Sequence, residues 1–407
     1  MIRNFNYLLL IQILTLLVPF LYYPHVVSKL GLDAYGTIVL AQSILFIIAA
    51  VINFGYNLYG VKEIAILSDI EKCKFLNISI QLKLIKLISC FFPYYLFINN
   101  IDFEPSQIRS LSLLYLTLFV EVFFLQWFFQ GLEKNKYAAI INLVSKIILL
   151  VSIWIFVDGL NAYENMVYCL VLSSFISSFL GAVFIWRQGV RLKIVPISSY
   201  YSQLVDSYYI FISKIFVIAF TKINGVVIGT NIGFGEVALY DLAEKLYSMM
   251  TMPLNTLNQV VYPRVSKNKD YIFVIRAIKL GLLFSFICYA CVYFFSEDLI
   301  VWFAGENMSY TAIILLILSI QLPINAISFF FGNCFLLNEN LKKEFRNSVI
   351  YPFTINAALL LIMSNLELLT IEIISMLTVF TSLQVLIIRS IYIVRSDKFN
   401  EVKFVNL

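Results

Sequence analysis

The apolar stretches of this 407-residue sequence come in two matching sets of six. Each of the twelve runs is long enough to cross a bilayer, or nearly so, and an offset of 202 residues carries each run of the first set onto or near a run of the second. The first set comprises residues 5–24, 36–57, 78–98, 110–129, 138–157 and 163–185. The second set comprises residues 208–229, 236–260, 272–295, 310–331, 348–363 and 370–391. Duplicated sets of six helices are typical of membrane transporters built from internal repeats.

The apolar runs are continuous and do not alternate with polar residues, which favours helices over the strands of a membrane barrel. Hydrophobic residues make up 61% of the chain and charged residues 13%, more apolar surface than a soluble core needs. Because each set holds an even number of runs, both sets begin and end on the same side of the membrane. We predict an all-α integral membrane protein with twelve transmembrane helices in two parallel six-helix lobes around a central cavity.

The predicted division of the chain follows the two sets of runs. Residues 1–185 form the N-terminal lobe, residues 186–207 a cytoplasmic linker, and residues 208–407 the C-terminal lobe with a cytoplasmic tail. Lys and Arg concentrate in the short segments on the side of the two termini, whereas the opposite segments hold Lys29 and Arg109. Basic residues are enriched on the cytoplasmic side of membrane proteins, so both termini are predicted to be cytoplasmic. Since the charges are scattered over short loops, no nucleic-acid surface is expected.

Charged residues within the runs are the candidate functional residues, because a charge in the bilayer is costly to insert. The seventh run holds Lys214 and Lys222, and the fifth holds Lys146. These three lysines and Lys245 are candidate substrate-binding cations, which would meet an anionic group in a water-filled lumen. Five of the charges lie in runs seven and eight and none in runs one and two, so the second half is the expected location of the site.

Acidic residues in the runs are candidates for proton or ion coupling. Asp241, Glu244 and Lys245 are spaced i, i+3 and i+4, so they share one face of a helix, and Glu121 lies in the fourth run. One interpretation is a polar patch with exchangeable protons. The other is a structural clamp in which Asp241 and Lys245 neutralise each other. No cofactor is expected beyond a coupling proton or another cation.

Several other polar residues receive structural interpretations. Five cations near the predicted cytoplasmic ends of runs are expected to extend their charged ends to the membrane surface: Lys83, Lys86, Arg276, Lys279 and Arg389. Trp127, Trp186 and Trp302 lie near run ends and are expected to anchor at the interface. The single histidine, His25, and the Cys288–Cys291 pair within a run show no catalytic or metal-binding pattern, so neither a metal site nor covalent catalysis is predicted.

Prolines within the runs are candidate hinges. Pro19 and Pro24 lie in the first run, Pro253 in the eighth and Pro323 in the tenth. A proline inside a helix removes one backbone hydrogen bond and bends the helix. These positions are interpreted either as hinges for alternating access or as static kinks.

Short motifs in the sequence resemble those of a known family. They are RNFNY at residues 3–7, PHVVSKLGLDAYG at 24–36, NFGY at 53–56, GVKEIA at 60–65 and QWFFQGLEK at 126–134. In this order they resemble the bacterial O-antigen flippases, also called polysaccharide transport proteins. That family belongs to a superfamily with multidrug and toxin extruders and lipid II flippases.

The resemblance implies a function and a location. The chain is expected to translocate undecaprenyl-diphosphate-linked oligosaccharide from the cytoplasmic to the periplasmic leaflet of the bacterial inner membrane. Its expected partners are that lipid-linked oligosaccharide, membrane lipids, and the polysaccharide polymerase and chain-length proteins. The family's lumen cations are thought to meet the diphosphate, and on this chain that role falls by location to Lys214, Lys222 and Lys245.

Two alternatives remain open on the sequence alone. The first is a cation-coupled multidrug extruder of the same superfamily, which residue-level resemblance disfavours. The second is a membrane polysaccharide polymerase. Polymerases tend to carry a large external loop with reactive groups, whereas the loops predicted outside are short, the longest being about the size of residues 296–309.

Overall fold

The computed structural model describes residues 2–189, 195–339 and 341–396, and every regular element in these ranges is helical. Residues 190–194 of the predicted linker and 397–407 of the predicted tail lie outside the described residues. Contacts divide the chain into two compact units, Met1–Val226 and Val227–Leu407. The predicted domain boundaries at residues 185 and 208 stay a prediction, since the contact-based division falls later, at Val226.

Ten helices lie wholly or mostly in the first unit. They are α1 (Ile2–Leu30), α2 (Leu32–Asn53), α3 (Tyr56–Ile66), α4 (Asp69–Asn99), α5 (Pro105–Leu114), α6 (Phe119–Phe123), α7 (Gln126–Gly131), α8 (Asn135–Phe156), α9 (Ala162–Arg187) and α10 (Ile197–Asn231). Helix α10 continues five residues into the second unit.

Six helices complete the second unit. They are α11 (Phe234–Asn268), α12 (Tyr271–Ala304), α13 (Thr311–Ser319), α14 (Gln321–Phe330), α15 (Lys342–Asn365) and α16 (Ile371–Val394). A π-helical segment, Phe331–Leu337, extends α14. A core cluster lies where α11, α12, α14, the π segment and α16 meet, with Val265, Val274, Phe330, Phe335 and Ile393 buried in it.

Ten described helical segments are long and apolar enough to cross a membrane. An eleventh is α10, which bends by 42° between Ile210–Phe216 and Thr221–Asn231. The remaining predicted span coincides with α11, which has the length but is more polar than the other spans. The prediction of an all-helical, multi-pass membrane protein is confirmed, and the number of twelve spans is consistent with these helices.

The same helix pairs pack together in both units. In the first unit, α2 contacts α4, α5 and α6, while α9 contacts α5, α6 and α8. In the second unit, the helices from the equivalent runs repeat this pattern: α11 contacts α12, α13 and α14, and α16 contacts α13, α14 and α15. The repeat read from the spacing of apolar runs is therefore present in the packing.

The fourth span of each unit departs from a regular α-helix at equivalent places. In the first unit, a 3-10 segment, Tyr115–Leu118, separates α5 from α6, and the chain leaves the helix again at Phe124 and Leu125. In the second unit, Ile320 interrupts the span between α13 and α14. The offset of 202 carries Leu118 onto Ile320, so the first irregularity recurs.

The candidate hinge prolines occupy two kinds of position. Pro19 and Pro24 lie inside α1, and Pro253 lies inside α11. Pro323 lies in the first turn of α14, three residues after the interruption at Ile320. Whether these residues act as hinges stays a prediction.

Candidate functional site

The charges on α11 form the pair that one interpretation of the sequence anticipated. Lys245 donates to the carboxylate of Asp241, one turn away on the same helix. Asp241 is 9% exposed, and Glu244 and Lys245 are partly buried. The cation at 245 is therefore neutralised in this structure, and the pair must open before Lys245 can bind an anion.

The other predicted cations do not share this arrangement. The Lys222 ammonium lies 5.3 Å from the centroid of the Phe46 ring, a cation–π contact. Lys214 and Lys146 are partly buried, and within the described residues neither forms a hydrogen bond or an ion pair with a side chain. These two lysines are the candidates with donors available to a ligand.

A buried network of charged and polar side chains lies in the first unit. Of its three residues, the sequence analysis selected only Glu121 as a functional candidate. The Lys83 ammonium donates to Asn53 Oδ1 at 2.7 Å and to the main-chain carbonyl of Glu121 at 2.8 Å. Asn53 in turn donates through Nδ2 to the Glu121 carboxylate. We call Asn53, Lys83 and Glu121 the polar node.

The expectation that Lys83 reaches the membrane surface is wrong. Its side chain is 1% exposed, and it lies on the face of α4 that packs against α2 and α6. Extension to the surface requires a helix face open to lipid or water, and this face is covered. A lysine near the end of a run can therefore be fully buried when neighbouring helices cap that face.

Aromatic rings line the rest of the space around Lys83. Its ammonium lies 5.6 Å from the centroid of Tyr56 and 5.8 Å from that of Trp127, and these two rings stack on each other at 5.4 Å. The expected interface role of Trp127 is wrong, because its side chain is 2% exposed. The indole Nε1 is buried and has no hydrogen-bond acceptor within the described residues.

The polar node lies where two spans break. Asn53 is the last residue of α2, and Phe54 (φ 44°) and Gly55 (φ 81°) turn the chain in the left-handed region before α3 begins. Glu121 lies in α6, which ends two residues later. A break leaves main-chain groups without their helical partners, and Lys83 satisfies one of them.

The first part of α10 covers the node. Tyr56 donates through its hydroxyl to Gln203 at 2.6 Å, and the Phe54 and Phe211 rings stack at 4.1 Å. A Cβ at Gly55 would lie 3.0 Å from the Phe211 nitrogen, so the turn tolerates little beyond glycine. The NFGY motif thus forms a turn that fits against α10.

Motifs that lie far apart in the sequence meet beside the node. Helices α3 and α7 pack together, and a Cβ at Gly60 would lie 2.4 Å from the Trp127 ring. A Cβ at Gly131 would lie 2.7 Å from Ile64 Cβ. The GVKEIA and QWFFQGLEK motifs are therefore two sides of one close helix contact, which explains the need for glycine in both.

The second unit has a buried cation of its own. Arg389 on α16 is 7% exposed, so its expected extension to the surface is also wrong. It donates through Nη1 to the Ser328 carbonyl at 2.6 Å and the Ser328 hydroxyl at 2.9 Å, and through Nε to Ser348 at 3.2 Å. Ser328 lies three residues before the π segment begins, so this cation too contacts an irregular fourth span.

Two contacts at the opposite helix ends join the first and fifth spans. Lys29 at the end of α1 pairs with Asp158 at 2.8 Å. The hydrogen bonds from Lys29 and from the Gly159 N–H lower the pKa of the Asp158 carboxyl below its ordinary value. The equivalent of Lys29 in the second unit is Asn231, which accepts from the Ser364 hydroxyl at 2.6 Å.

Within the described residues, no group of three or more His, Cys, Asp or Glu side chains is placed to hold a metal ion.

The fold is similar to that of solved membrane proteins. It superposes on an inward-facing multidrug resistance MATE family transporter of the MOP superfamily with a TM-score of 0.74, at 14% identity over 94% of this chain and 93% of that one. For the lipid II flippase MurJ in an inward closed conformation the TM-score is 0.75, at 15% identity over 97% and 88%. The chain therefore has the fold of these two proteins, with helices long and apolar enough to cross a membrane many times.

The sequence comparison narrows this class. Residues 1–269 match the polysaccharide biosynthesis protein family, so the chain belongs to that family. Two curated relatives are described as putative O-antigen transporters. The one from Shigella dysenteriae is 24% identical over 70% of this chain and 74% of its own length. The one from Escherichia coli K12 is 21% identical over 86% of each chain. The family resemblance read from the motifs is confirmed.

Proposed function

We propose that this protein translocates an undecaprenyl-diphosphate-linked oligosaccharide from the cytoplasmic to the periplasmic leaflet by alternating access. The observation that carries the proposal is the family match over residues 1–269, supported by two relatives described as putative O-antigen transporters. The repeated packing of the two units supports it further, because repeated units that move against each other are the usual basis of alternating access.

Physical chemistry indicates what the protein must supply. A diphosphate that carries sugars cannot cross ~30 Å of hydrocarbon unaided, whereas the apolar polyprenyl tail can stay in that layer. Lysine ammonium groups within the membrane offset the loss of water around the diphosphate by charge-assisted hydrogen bonds. Lys214 and Lys146 are assigned this role first because their donors are available, with Lys222 and Lys245 next.

A matched set of variants tests the lysines. Replacing Lys214 or Lys146 with Gln should lower transport of the lipid-linked oligosaccharide, and replacing either with Arg should preserve most of it. Lys136→Gln is the control, because Lys136 is an exposed lysine at the start of α8. Equal transport by Gln and Arg variants would remove these two residues from the substrate site.

Coupling to protons belongs to the same proposal. Asp241, Glu244 and Glu121 are the candidate exchange sites, and Asp241 is held by Lys245 until that pair opens. Asp241→Asn, Glu244→Gln and Glu121→Gln are to be compared under imposed pH gradients. A variant that transports as well without the gradient as with it identifies the coupling residue, and unchanged gradient dependence in all three contradicts proton coupling at these sites.

The location and partners complete the proposal. We place the protein in the bacterial inner membrane with both termini on the cytoplasmic side, where the lipid-linked units are made. The polymerase and chain-length proteins are the expected downstream partners. Reporter fusions at each terminus test the orientation. Periplasmic activity of either fusion would contradict it.

Deletion of the gene is the deciding experiment. The expected result is loss of surface polysaccharide with accumulation of undecaprenyl-linked units that face the cytoplasm, and restoration by the wild-type gene. Accumulation of single repeat units on the periplasmic side would instead indicate a polymerase. Normal polysaccharide with increased drug sensitivity would indicate a multidrug extruder.

A further inference from the structure

We propose that Lys83 is a positioning residue for transport, which holds the breaks of the second and fourth spans in one of two arrangements of the first unit. The inference rests on the proposed function for its link to transport, whereas its structural part stands on the polar node alone. It assigns a role to a residue that lies outside the predicted set of substrate-binding lysines.

One cation joins the two breaks. Of the three N–H donors of Lys83, one goes to Asn53 at the end of α2 and one to the carbonyl of Glu121 at the end of α6. Movement of either break relative to the other must therefore break a hydrogen bond to Lys83.

The break at α6 leaves the Glu121 carbonyl without its helical donor. In a continuous helix this carbonyl would accept from the N–H of residue 125. Here Phe124 (φ −101°, ψ 83°) and Leu125 (φ −83°, ψ 79°) are not helical, and Lys83 takes that place. The cation thus stabilises the broken form of the fourth span.

A second arrangement of the fourth span also satisfies the Glu121 carbonyl. If Lys83 releases the carbonyl, residues 124 and 125 can return to helical geometry and the Leu125 N–H can bond to Glu121. The carbonyl is satisfied in both forms, so neither form carries an unpaired buried acceptor. Two discrete, individually satisfied arrangements are what a flexing point in a membrane helix requires.

The Glu121 carboxylate compensates the charge of Lys83. The two are linked through the Asn53 amide, which accepts from Lys83 and donates to Glu121. Removing the cation alone leaves an unpaired carboxylate and tests folding more than positioning. The double variant Lys83→Met, Glu121→Gln removes both charges and leaves the Glu121 main-chain carbonyl without Lys83, which isolates the positioning role.

Three measurements on purified wild type, Lys83→Met and the double variant test the inference. They are thermal unfolding in detergent, hydrogen exchange at residues 124–128 without substrate, and transport of the lipid-linked oligosaccharide. We expect exchange at Leu125 to be slower by ~10-fold or more in both variants, because release of the Glu121 carbonyl lets the Leu125 N–H bond to it. Because Glu121 is also a candidate coupling residue, Glu121→Gln is measured alongside. We expect the double variant to regain most of its thermal stability but to transport less than Glu121→Gln, which keeps Lys83. Lys136→Met, at an exposed position, should match the wild type in all three.

A purely structural role gives a different pattern. Stability and transport would then recover together in the double variant, with transport equal to that of Glu121→Gln, and that result would overturn the inference. Unchanged exchange at Leu125 in Lys83→Met would overturn it as well. If the wild type does not translocate the lipid-linked oligosaccharide, the proposed function fails, and the exchange measurement still decides whether Lys83 holds the break.

Discussion

The two units bury one cation each against the fourth span, but they neutralise it differently. Lys83 in the first unit is linked through Asn53 to the Glu121 carboxylate. Arg389 in the second unit contacts two serines and a main-chain carbonyl, and no described carboxylate pairs with it. The first arrangement can change charge by protonation, whereas the guanidinium keeps its charge. The repeated scaffold therefore carries a titratable contact in one half and a fixed one in the other.

The largest expected difference between the units is in stability after removal of the cation. Lys83→Met leaves the Glu121 carboxylate unpaired in the membrane and should lower the free energy of unfolding by about 3 kcal/mol. Arg389→Met leaves neutral groups behind and should lower it by about 1 kcal/mol. Unfolding of both variants in mixed micelles measures the difference. Equal losses would show that the carboxylate does not distinguish the two units.

Substitutions at two glycines compare the packing in the two units and are expected to have the next largest effect on stability. A Cβ at Gly60 would lie 2.4 Å from the rigid Trp127 ring, so Gly60→Ala should cost about 2 kcal/mol of stability. A Cβ at Gly332 would lie 2.8 Å from the Arg389 guanidinium and 2.9 Å from the Phe345 ring, and Gly332→Ala should cost less because both contacts are less close than 2.4 Å. Gly281→Ala is the control, since its Cβ would lie 3.4 Å from Leu254, an ordinary contact. A larger loss at Gly332 than at Gly60 would contradict the assignment of the rigid contact to the first unit.

The smallest expected effect concerns the contacts at the opposite helix ends. The Lys29–Asp158 pair holds the pKa of Asp158 below its ordinary value, so its stabilisation is complete above pH ~4 and is lost as the pH falls through the lowered pKa. Asn231 and Ser364 carry no charge. Hydrogen exchange near residue 158, corrected for the intrinsic exchange rate at each pH, should therefore rise by a few-fold on acidification or in high salt, while corrected exchange near residue 364 does not.

Asp158→Asn is the matched variant for this contact. It should abolish the dependence on pH and salt near residue 158 and leave residue 364 as it was. A dependence that persists in Asp158→Asn would mean that a group other than Asp158 is responsible.

The membrane helices and their order could be predicted from the sequence because each membrane-spanning helix requires a long apolar run. The offset between the two sets anticipated which helices pack together, whereas the orientation stays a prediction from the charge distribution. The i, i+4 spacing also anticipated the Asp241–Lys245 pair, since that contact depends on one helix alone.

The polar node was harder to find because it depends on three helices and two breaks. Lys83 lies about 8 Å into the third run and Glu121 about 12 Å into the fourth, counted from the same predicted side at 1.5 Å per residue. Opposite charges at similar depth on neighbouring spans were a signal of a pair. The breaks themselves, at Phe54 and at Phe124, arise from contacts with α10 and α7 and have no local proline to mark them.

Because of helix α10, the boundary between the two sequence repeats differs from the boundary between the two compact units. Tyr56 and Phe54 are covered by Gln203 of the predicted linker and Phe211 of the second repeat, and contacts assign both of these residues to the first unit. A fragment that ends at residue 185 would expose this surface, and a cut at residue 226 would sever a helix. The first six spans are therefore not a separable module: the NFGY turn at residues 53–56 is completed by a helix that the sequence repeat assigns to the other half.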